Sequence, residues 1–248
     1  MPKEKTYIDG FDRILHGGFP LNSVTLVSGG SGTGKTILGA QFLIEGAKNN
    51  NKTGLFVTLD EKPDNIRQDF KSLGWKITEL EEKEKFIILD AASPKVGVMS
   101  EEDYVARFGL DVDSLLNEIT NLVEEKEVDR LVIDSLPMIA FRTKKGEIRT
   151  SIYRLMSLLN EIECTSLIIT EREEGTKQIS RFGVEQYAAR GVILLEMHTV
   201  GNELRRTILV RKMRGTNHSK KRYPFEITNQ GIEVYPYPDV YHQEVEPY

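Results

Sequence analysis

The segment GGSGTGKT at residues 29–36 constrains the fold of this chain more than any other stretch. It has the spacing G-x-x-x-x-G-K-[ST], with Gly29, Gly34, Lys35 and Thr36 at the defining positions. The apolar run SVTLVSG leads into it, and ILGAQFLIEGAK, with apolar residues at helical spacing, follows it. A strand, a glycine-rich loop and a helix in this order let successive backbone N–H groups point at phosphate oxygens. The segment therefore predicts a phosphate-binding loop that ends at a helix N-terminus.

Apolar runs rich in β-branched residues alternate with helical patterns over much of the chain. The runs predict strands at 23–29, 53–60, 85–91, 129–135 and 166–170, and the helical patterns lie at 37–48, 63–75, 111–125 and 151–163. This alternation is typical of an α/β fold in which helices flank a mainly parallel sheet. Further along, GVILLEM, RRTILVRKM, RYPFEI and GIEVYP predict short antiparallel strands. We expect one domain over 1–235 and an extended or disordered Pro/Tyr-rich tail over 236–248.

The composition excludes several classes of protein. The chain is 39% hydrophobic and 29% charged with a net charge of −5, and no apolar run approaches the length of a membrane span. The N-terminus lacks the apolar core of a signal peptide. The only cysteine, Cys164, leads into an apolar strand, which predicts a buried, inert thiol and agrees with a reducing compartment. The four histidines lack metal-ligand spacing. We expect a cytoplasmic protein with neither a membrane partner nor a transition-metal site.

Acidic residues follow two of the predicted strands. LVIDS ends near Asp134, and TLDEKP places Asp60 and Glu61 after another strand. In phosphate-loop enzymes the lysine, here Lys35, reaches the β- and γ-phosphates, while the hydroxyl of Thr36 and a carboxylate such as Asp134 hold Mg²⁺ and its water. A carboxylate at 60 or 61 could polarise the attacking water. The alternative is that both acids only favour the N-terminus of the next helix.

Four longer segments carry a resemblance to a known family. They are IDGFDRILHGGFPLNSVTLVSGGSGTGKT, LFVTLDEKPDNIRQDFKSLGW, ISRFGVEQYAARGVILL and RRTILVRKMRGTNHSKKRYPFEITNQGIEVYP. Together they resemble the KaiC family of RecA-type ATPases, in its single-domain, archaeal-type form, over nearly the whole chain. The run KMRGT-x-H at 212–218 is the most specific, because few other phosphate-loop proteins carry it. The resemblance implies a RecA-like phosphate-loop NTPase fold that binds ATP or ADP with Mg²⁺.

The same resemblance implies that the nucleotide lies between subunits of a homo-oligomeric ring, a hexamer. Lys212 and Arg214 would then contact the γ-phosphate of a neighbouring subunit in trans, like an arginine finger. Further residues are implied near the base and ribose: Met213, Thr216 and His218, with Thr228 and Asn229 nearby. The alternative for the basic run is a charged edge strand that prevents aggregation.

On the loop-bearing side the resemblance implies a second set of nucleotide contacts. The implied phosphate contacts are Gly32, Thr33, Gly34, Lys35, Thr36 and Ile37. Ser72 would lie near the adenine, and Glu61 falls on the catalytic glutamate of the family. The chain departs from the family at Asp60, where a glutamate is common. It also carries Gln186 and Tyr187 where the clock protein has its phosphoacceptor Ser-Thr pair, so self-phosphorylation there is not expected.

The sequence leaves four functions to weigh. The favoured one is a slow Mg²⁺-dependent ATPase that acts as a ring-forming, nucleotide-controlled regulator. Asp60 keeps open a non-hydrolysing assembly that ATP stabilises. A single-stranded DNA-binding recombination accessory is not favoured, although the segment FRTKKGEIR at 141–149 is basic and the segment at 171–182 is mixed, where RecA-type proteins have loops facing the ring axis. No residue specifically supports a kinase acting on a partner.

Overall fold

The computed structural model describes residues 1–95, 97–106, 112–141, 143–144, 146–173 and 178–237. The strands are β1 Lys3–Glu4, β2 Phe19–Pro20, β3 Val24–Gly29, β4 Gly54–Thr58, β5 Phe86–Asp90, β6 Arg130–Asp134, β7 Thr165–Glu171, β8 Gly191–Val200, β9 Glu203–Met213, β10 Arg222–Thr228 and β11 Gly231–Val234. The α-helices are α1 Phe11–Ile14, α2 Lys35–Asn50, α3 Pro63–Ser72, α4 Ile77–Glu81, α5 Ala92–Lys95, α6 Val112–Glu125, α7 Ile148–Leu159 and α8 Glu185–Ala188, and Leu136–Phe141 forms a 3₁₀ helix.

Within the described residues, nine strands form one sheet in the order β11-β10-β9-β8-β3-β7-β6-β4-β5, and β1 and β2 form a separate pair. The strands from β8 to β5 in this order run parallel, and β9, β10 and β11 join by antiparallel pairing. The predicted mainly parallel sheet with antiparallel strands towards the C-terminus is thus confirmed. In this order β7 lies between the strand that precedes the phosphate-binding loop and the strand that ends in Asp134.

Some predicted details were wrong. The first of the supposedly antiparallel strands, β8, pairs in parallel with β3 and only its other side is antiparallel, to β9. Strands β8 and β9 have 10 and 11 residues and are not short. Helix α3 ends at Ser72, not at 75, because Gly74 adopts a left-handed conformation with φ 75° that stops the helix. Helix α7 covers 148–159, and not 151–163.

Apolar layers cover both faces of the sheet. In β4, Phe56 packs on the face that carries α2 and α3, while Leu55 and Val57 pack on the face that carries α6 and α7. Phe56 also meets the rings of Phe70 and Phe86 at centroid distances of 6.0 and 6.3 Å. Burial on both faces explains why the central strands are continuous apolar runs. Packing on both faces fixes the positions of the strand ends and of the side chains that they carry.

Arg130, at the start of β6, is fully buried and ties the N-terminal segment to the sheet. Its Nε donates to the Glu4 carboxylate at 2.8 Å, and its other nitrogens donate to the carbonyl oxygens of Phe42 and Lys5. The guanidinium lies 4.3 Å from the centroid of the Phe42 ring. A buried charge with this many partners is tolerated, but removing its counter-ion leaves it unpaired.

Several sequence expectations fall on residues outside the described part of the chain. These are Arg142 and Lys145 of the basic segment, residues 174–177 of the mixed segment, and 238–248 of the tail. Cys164 is buried, and burial raises the pKa of its thiol to about 11, as expected for an inert side chain. Among the described helices, none is long and apolar enough to cross a membrane.

Replacing Glu4 by alanine should lower the free energy of unfolding by about 3 kcal/mol, because Arg130 would keep its buried charge without a counter-ion. Denaturant titration of the purified protein measures this change. The control is Glu101→Ala at an exposed position, which should change the free energy by less than about 0.5 kcal/mol. Equal effects of the two substitutions would contradict a stabilising role for the buried pair.

Candidate active site at the carboxyl edge of the sheet

The glycines of the predicted phosphate-binding loop are needed for close packing. Gly32 and Gly34 have φ values of 69° and 93°, which side-chain-bearing residues rarely adopt. A Cβ atom at Gly29 would lie 2.5 Å from the carbonyl oxygen of Leu195, and one at Gly34 would lie 2.9 Å from Cδ1 of Ile227. Helix α2 begins at Lys35. The loop therefore leads directly into a helix N-terminus, as the motif predicts.

Lys35 folds back over this loop. Its Nζ donates to the carbonyl oxygen of Gly30 at 2.7 Å, and the side chain is largely buried. Burial lowers the pKa of Lys35, while the carboxylates of Glu171 and Asp134 act in the opposite direction. A poorly hydrated ammonium at a helix N-terminus gains strongly from a nearby anion, so the position suits a phosphate group.

Thr36, at the start of α2, contacts Asp134, at the end of β6, although β6 and the strand before α2, β3, are not neighbours in the sheet. The Thr36 hydroxyl donates to Asp134 Oδ2 at 2.6 Å. Burial raises the pKa of Asp134 to about 6, against the hydrogen bond from Thr36 and the charge of Lys35, both of which lower it. A hydroxyl and a carboxylate oxygen are hard ligands, and Mg²⁺ typically takes only one or two such protein groups beside phosphate oxygens and water. The pair fits Mg²⁺. Within the described residues, no three His, Cys, Asp or Glu side chains cluster to form a complete metal cage.

Asp60 and Glu61 follow β4 and line the same cavity. The Thr58 hydroxyl donates to the Glu61 carbonyl oxygen and so fixes this turn. Burial raises the pKa of Glu61, and the charges of Asp69 and Asp60 raise it further. A carboxylate with a raised pKa is a better proton acceptor near neutral pH than an ordinary glutamate. Both acids thus lie where a water-activating group is needed.

The cavity at this edge has a volume of about 190 Å³. Its lining includes Ser31, Gly32, Lys35, Thr36, Thr58, Asp60, Glu61, Ile66, Asp134, Ser135 and Glu171. It is smaller than pockets that enclose a drug-sized ligand, which are about 300–1,000 Å³. Its lysine, hydroxyl and carboxylate lining suits phosphate groups together with Mg²⁺.

Glu171 is the charged residue of this cavity that the sequence analysis did not predict. It ends β7, where it pairs in register with Gly29 at the start of the loop. The signal was present, since an apolar strand followed by an acid had marked Asp134. Glu171 is the first residue of the segment 171–182, which the sequence analysis assigns to a loop facing the ring axis and not to a strand end.

The KMRGT-x-H segment begins at the opposite edge of the sheet. Met213 pairs with Gly191, and Gly191 pairs with Thr25 near the start of β3, whereas the loop follows Gly29 at its end. Four residues of strand separate these two levels, about 13 Å. Near its own loop, β9 instead presents Arg206, whose Nε donates to the Gly32 carbonyl oxygen at 3.2 Å. The structure does not bring the cations of this segment together with the loop of the same chain.

Lys212 and Arg214 lie on the carbonyl groups around α8. Lys212 Nζ donates to the carbonyl oxygens of Gln186 and Ala189 at 2.7 and 2.6 Å, and an Arg214 nitrogen approaches that of Tyr187 at 3.4 Å. Burial lowers the pKa of Lys212, and the charge of Arg214 lowers it further. Lys212 is thus partly desolvated beside the exposed Arg214, and two neighbouring cations favour an incoming anion.

The remaining residues expected at the nucleotide fall into two groups. Met213 is buried, the Thr216 hydroxyl has no hydrogen-bond partner among the described residues, and His218 Nδ1 lies 2.8 Å from the Ser219 carbonyl oxygen. This first group begins at Met213, the last residue of β9, and continues after that strand at the amino edge.

The second group lies on the loop side. Thr228 and Asn229 form the turn after β10, and a Cβ atom at Gly74 would lie 3.3 Å from the Asn229 carbonyl oxygen. Ser72 lies two residues before Gly74 in the sequence and is exposed, with its hydroxyl donating to the Asp69 carbonyl oxygen. Thr228, Asn229 and Ser72 therefore lie beside α2 and the loop, apart from the KMRGT-x-H segment of the same chain.

The sheet order and the phosphate-sized cavity at its carboxyl edge define a RecA-like phosphate-loop NTPase. A family model described as "ATPase: KaiC" matches residues 4–239. The crystal structure of a KaiC-like protein from Pyrococcus horikoshii OT3 is 39% identical, with a TM-score of 0.83, over 95% of this chain and 99% of that chain. The chain belongs to the KaiC family of ATPases.

Relatives of two lengths match the chain. A UPF0273 protein from Thermotoga maritima is 39% identical over 233 residues, which cover 94% of this chain and 95% of that protein. The circadian clock oscillator protein KaiC 1 from Synechocystis sp. is 38% identical over 235 residues, but these cover only 44% of its length. The chain is therefore similar to single-domain relatives over their full length and to less than half of a clock protein.

Replacing Asp134 by asparagine should raise the free energy of unfolding by about 3 kcal/mol at pH 7.5 in protein free of nucleotide and Mg²⁺. The folded carboxyl group binds its proton more tightly than the unfolded one, with a pKa of about 6 against 3.8, so its ionisation destabilises the fold as the pH rises through this interval. Denaturant titrations from pH 4 to 8 in chelator measure the effect.

The gain from this substitution should fall to about 0.5 kcal/mol at pH 4, where the folded carboxyl group is protonated and the unfolded one is near the midpoint of its titration. Asp113→Asn, at an exposed position, is the matched control and should change stability by less than about 0.5 kcal/mol at any pH. A gain that is constant with pH would show that the charge of Asp134 is not its cause.

Proposed function

We propose that this chain is a slow Mg²⁺-dependent ATPase that assembles as a hexameric ring and works as a nucleotide-controlled regulator, with each active site shared between two subunits. The observation that carries the proposal is the separation of Lys212 and Arg214 from the phosphate-binding loop of their own chain. A head-to-tail contact places the amino edge of one subunit against the carboxyl edge of the next, and repeated contacts of this kind close into a ring.

The loop-bearing subunit supplies most of the proposed chemistry. Backbone N–H groups of the loop and the ammonium of Lys35 bind the β- and γ-phosphates. Thr36 and Asp134 hold Mg²⁺, which supplies neutralisation of the phosphate charge when it is bound. Glu61, with its raised pKa, orients the attacking water and accepts its proton, and Asp60 keeps the cavity acidic beside it.

The neighbouring subunit completes the proposed site. Arg214 and Lys212 stabilise the charge that develops on the γ-phosphate, while Met213, Thr216 and His218 approach the base and ribose. The small volume of the cavity supports this arrangement, because a pocket of this size does not enclose a whole nucleotide. Ser72, Thr228 and Asn229 contact the base from the loop-bearing side, and Gly32, Thr33, Gly34 and Ile37 frame the phosphates.

Two further parts of the proposal concern the chain as a whole. We take residues 1–235 as one ATPase domain, which the family match over 4–239 supports. A reducing, cytoplasmic location agrees with a single buried cysteine. We do not favour a DNA-binding function. In the described part of the basic segment, Lys144 and Arg149 are exposed, as is usual for charged side chains.

A mixing experiment tests the shared site. Arg214→Ala and Lys35→Ala should each lower ATP turnover by at least about 100-fold, since the first removes the trans cation and the second the loop cation. In an equal mixture, about one interface in four combines an intact loop with an intact arginine, so up to about a quarter of wild-type turnover should return. Phosphate release and native mass are measured on the same samples across a range of protein concentrations.

Glu61→Gln is the matched chemical control, because it changes one carboxylate to an amide of equal size. It should lower turnover by about 100-fold and leave ADP binding unchanged. A ring that forms with ATP but releases no more phosphate than Glu61→Gln would establish the non-hydrolysing assembly instead. Mixing that restores nothing, from subunits shown to assemble together, would contradict the trans role of Arg214.

A further inference from the structure

A groove of about 730 Å³ lies between the C-terminal half of α6 and the end of α7. Its lining includes Val128 and Asp129, directly before β6, and Glu163, shortly before β7. The groove is therefore at the amino edge of the sheet, away from the phosphate-binding loop. We call it the α6–α7 groove.

The floor of the α6–α7 groove is apolar. It consists of Leu116, Val123, Val128, Leu158 and Ile162. The first three are buried in the core, whereas Ile162 is half-buried and Leu158 is 41% exposed although it lies on a helix packed against the sheet. A concave site with exposed leucine and isoleucine gains free energy when another apolar group covers it.

The rim of the groove carries five carboxylates: Glu124, Glu127, Asp129, Glu161 and Glu163. No lysine, arginine or histidine is among the described lining residues. Asp129 pairs with Lys52 at 2.6 Å, but within the described part of the chain no ion pair involves the other four, all of which are exposed. Like charges held around a low-dielectric floor repel one another, and a cationic partner relieves that repulsion.

The arrangement excludes other classes of ligand. The carboxylates are spread around the rim, and no three of the described acidic side chains cluster to hold a metal ion. A nucleic acid or an anionic membrane surface would be repelled by the same charges. A small neutral molecule would leave the rim charges unused. A segment with an apolar side and basic flanks matches both the floor and the rim.

We propose that the α6–α7 groove is a docking site for a basic, amphipathic helical segment of a partner protein. Apolar residues of that helix, spaced by three or four positions, lie on the floor beside Leu158 and Ile162, and its lysine or arginine residues face Glu124 and Glu161.

The groove is separate from the nucleotide site but shares strands with it. It lies where β6 and β7 begin, and these strands end in Asp134 and Glu171 at the cavity. A partner can therefore dock while the nucleotide is bound. The inference does not depend on the proposed ATPase mechanism.

The test uses a fluorescein-labelled amphipathic peptide of leucine and lysine, about 18 residues long, and its analogue with glutamate in place of lysine. Fluorescence anisotropy at about 0.15 M salt measures affinity, because exposed charges are screened at that ionic strength. The full-length protein should bind the lysine peptide and not the glutamate peptide. Leu158→Asp should weaken binding by about tenfold, and its exposed position should let the variant fold.

A charge-swap variant separates docking from general attraction between opposite charges. Glu124→Lys combined with Glu161→Lys should lose the lysine peptide, because two of the five rim carboxylates become cations. The matched control is Glu101→Lys with Glu118→Lys, which changes the net charge equally but lies outside the groove, and it should keep the wild-type preference. Mg²⁺-ADP should leave all of these affinities unchanged.

Four results would overturn the inference. They are no binding of the lysine peptide by the wild-type protein, equal loss in the charge-swap variant and its control, unchanged affinity in Leu158→Asp, and an altered native mass of Leu158→Asp without peptide. The second would indicate non-specific attraction, and the last would indicate that a second copy of this chain covers the groove.

Discussion

The parallel register of the central strands is the constraint on which the rest of the structure depends. Gly29 is level with Glu171, and Thr58 is level with Asp134, so the loop, the paired acids and the strand-ending carboxylates all lie at one edge. Apolar burial on both faces of the sheet holds this register, since a slip by one residue would turn Phe56 and its neighbours to the wrong face. The 2.6 Å contact between Thr36 and Asp134 exists only in this register.

Burial makes the charged forms of three side chains at this edge less favourable than they are in water. Burial lowers the pKa of Lys35 and raises the pKa values of Asp134 and Glu61, so each of the three is less stable in its charged form than in water. Perturbed groups that share one cavity are typical of functional sites. Nucleotide phosphates would supply charge opposite to that of Lys35, and Mg²⁺ would supply charge opposite to that of Asp134 and Glu61.

The two edges of the sheet differ in character. The carboxyl edge carries Lys35 and the carboxylates of the cavity. The amino edge carries Lys212 and Arg214 at one place and the acidic rim of the α6–α7 groove at another. This asymmetry is what a head-to-tail ring requires, because each subunit must present unlike surfaces to its two neighbours. It also leaves room for a partner that touches neither the loop nor the cavity.

Local patterns predicted much of the site. The loop and the start of its helix, the acid at the end of β6 and the acids after β4 all follow from short motifs. The family resemblance supplied Lys212 and Arg214. Sequence patterns failed where pairing partners decide the outcome: β8 joins β3 in parallel, β7 lies between β3 and β6, and Glu171 enters the cavity through that insertion.

The sequence by itself determined the alternation of strands and helices, the phosphate-binding loop and the residue types around it, because these depend on periodicity and on backbone conformations that glycine alone adopts readily. Only the tertiary structure decided which strands are neighbours, that Thr228 and Asn229 lie on the loop side and that Lys212 and Arg214 lie at the other edge. It also decided that acids at the end of α6 and in the segments after α6 and α7 surround one groove. Those relations join residues that are far apart in the chain. They depend on long-range packing, which leaves no periodic pattern in the local sequence.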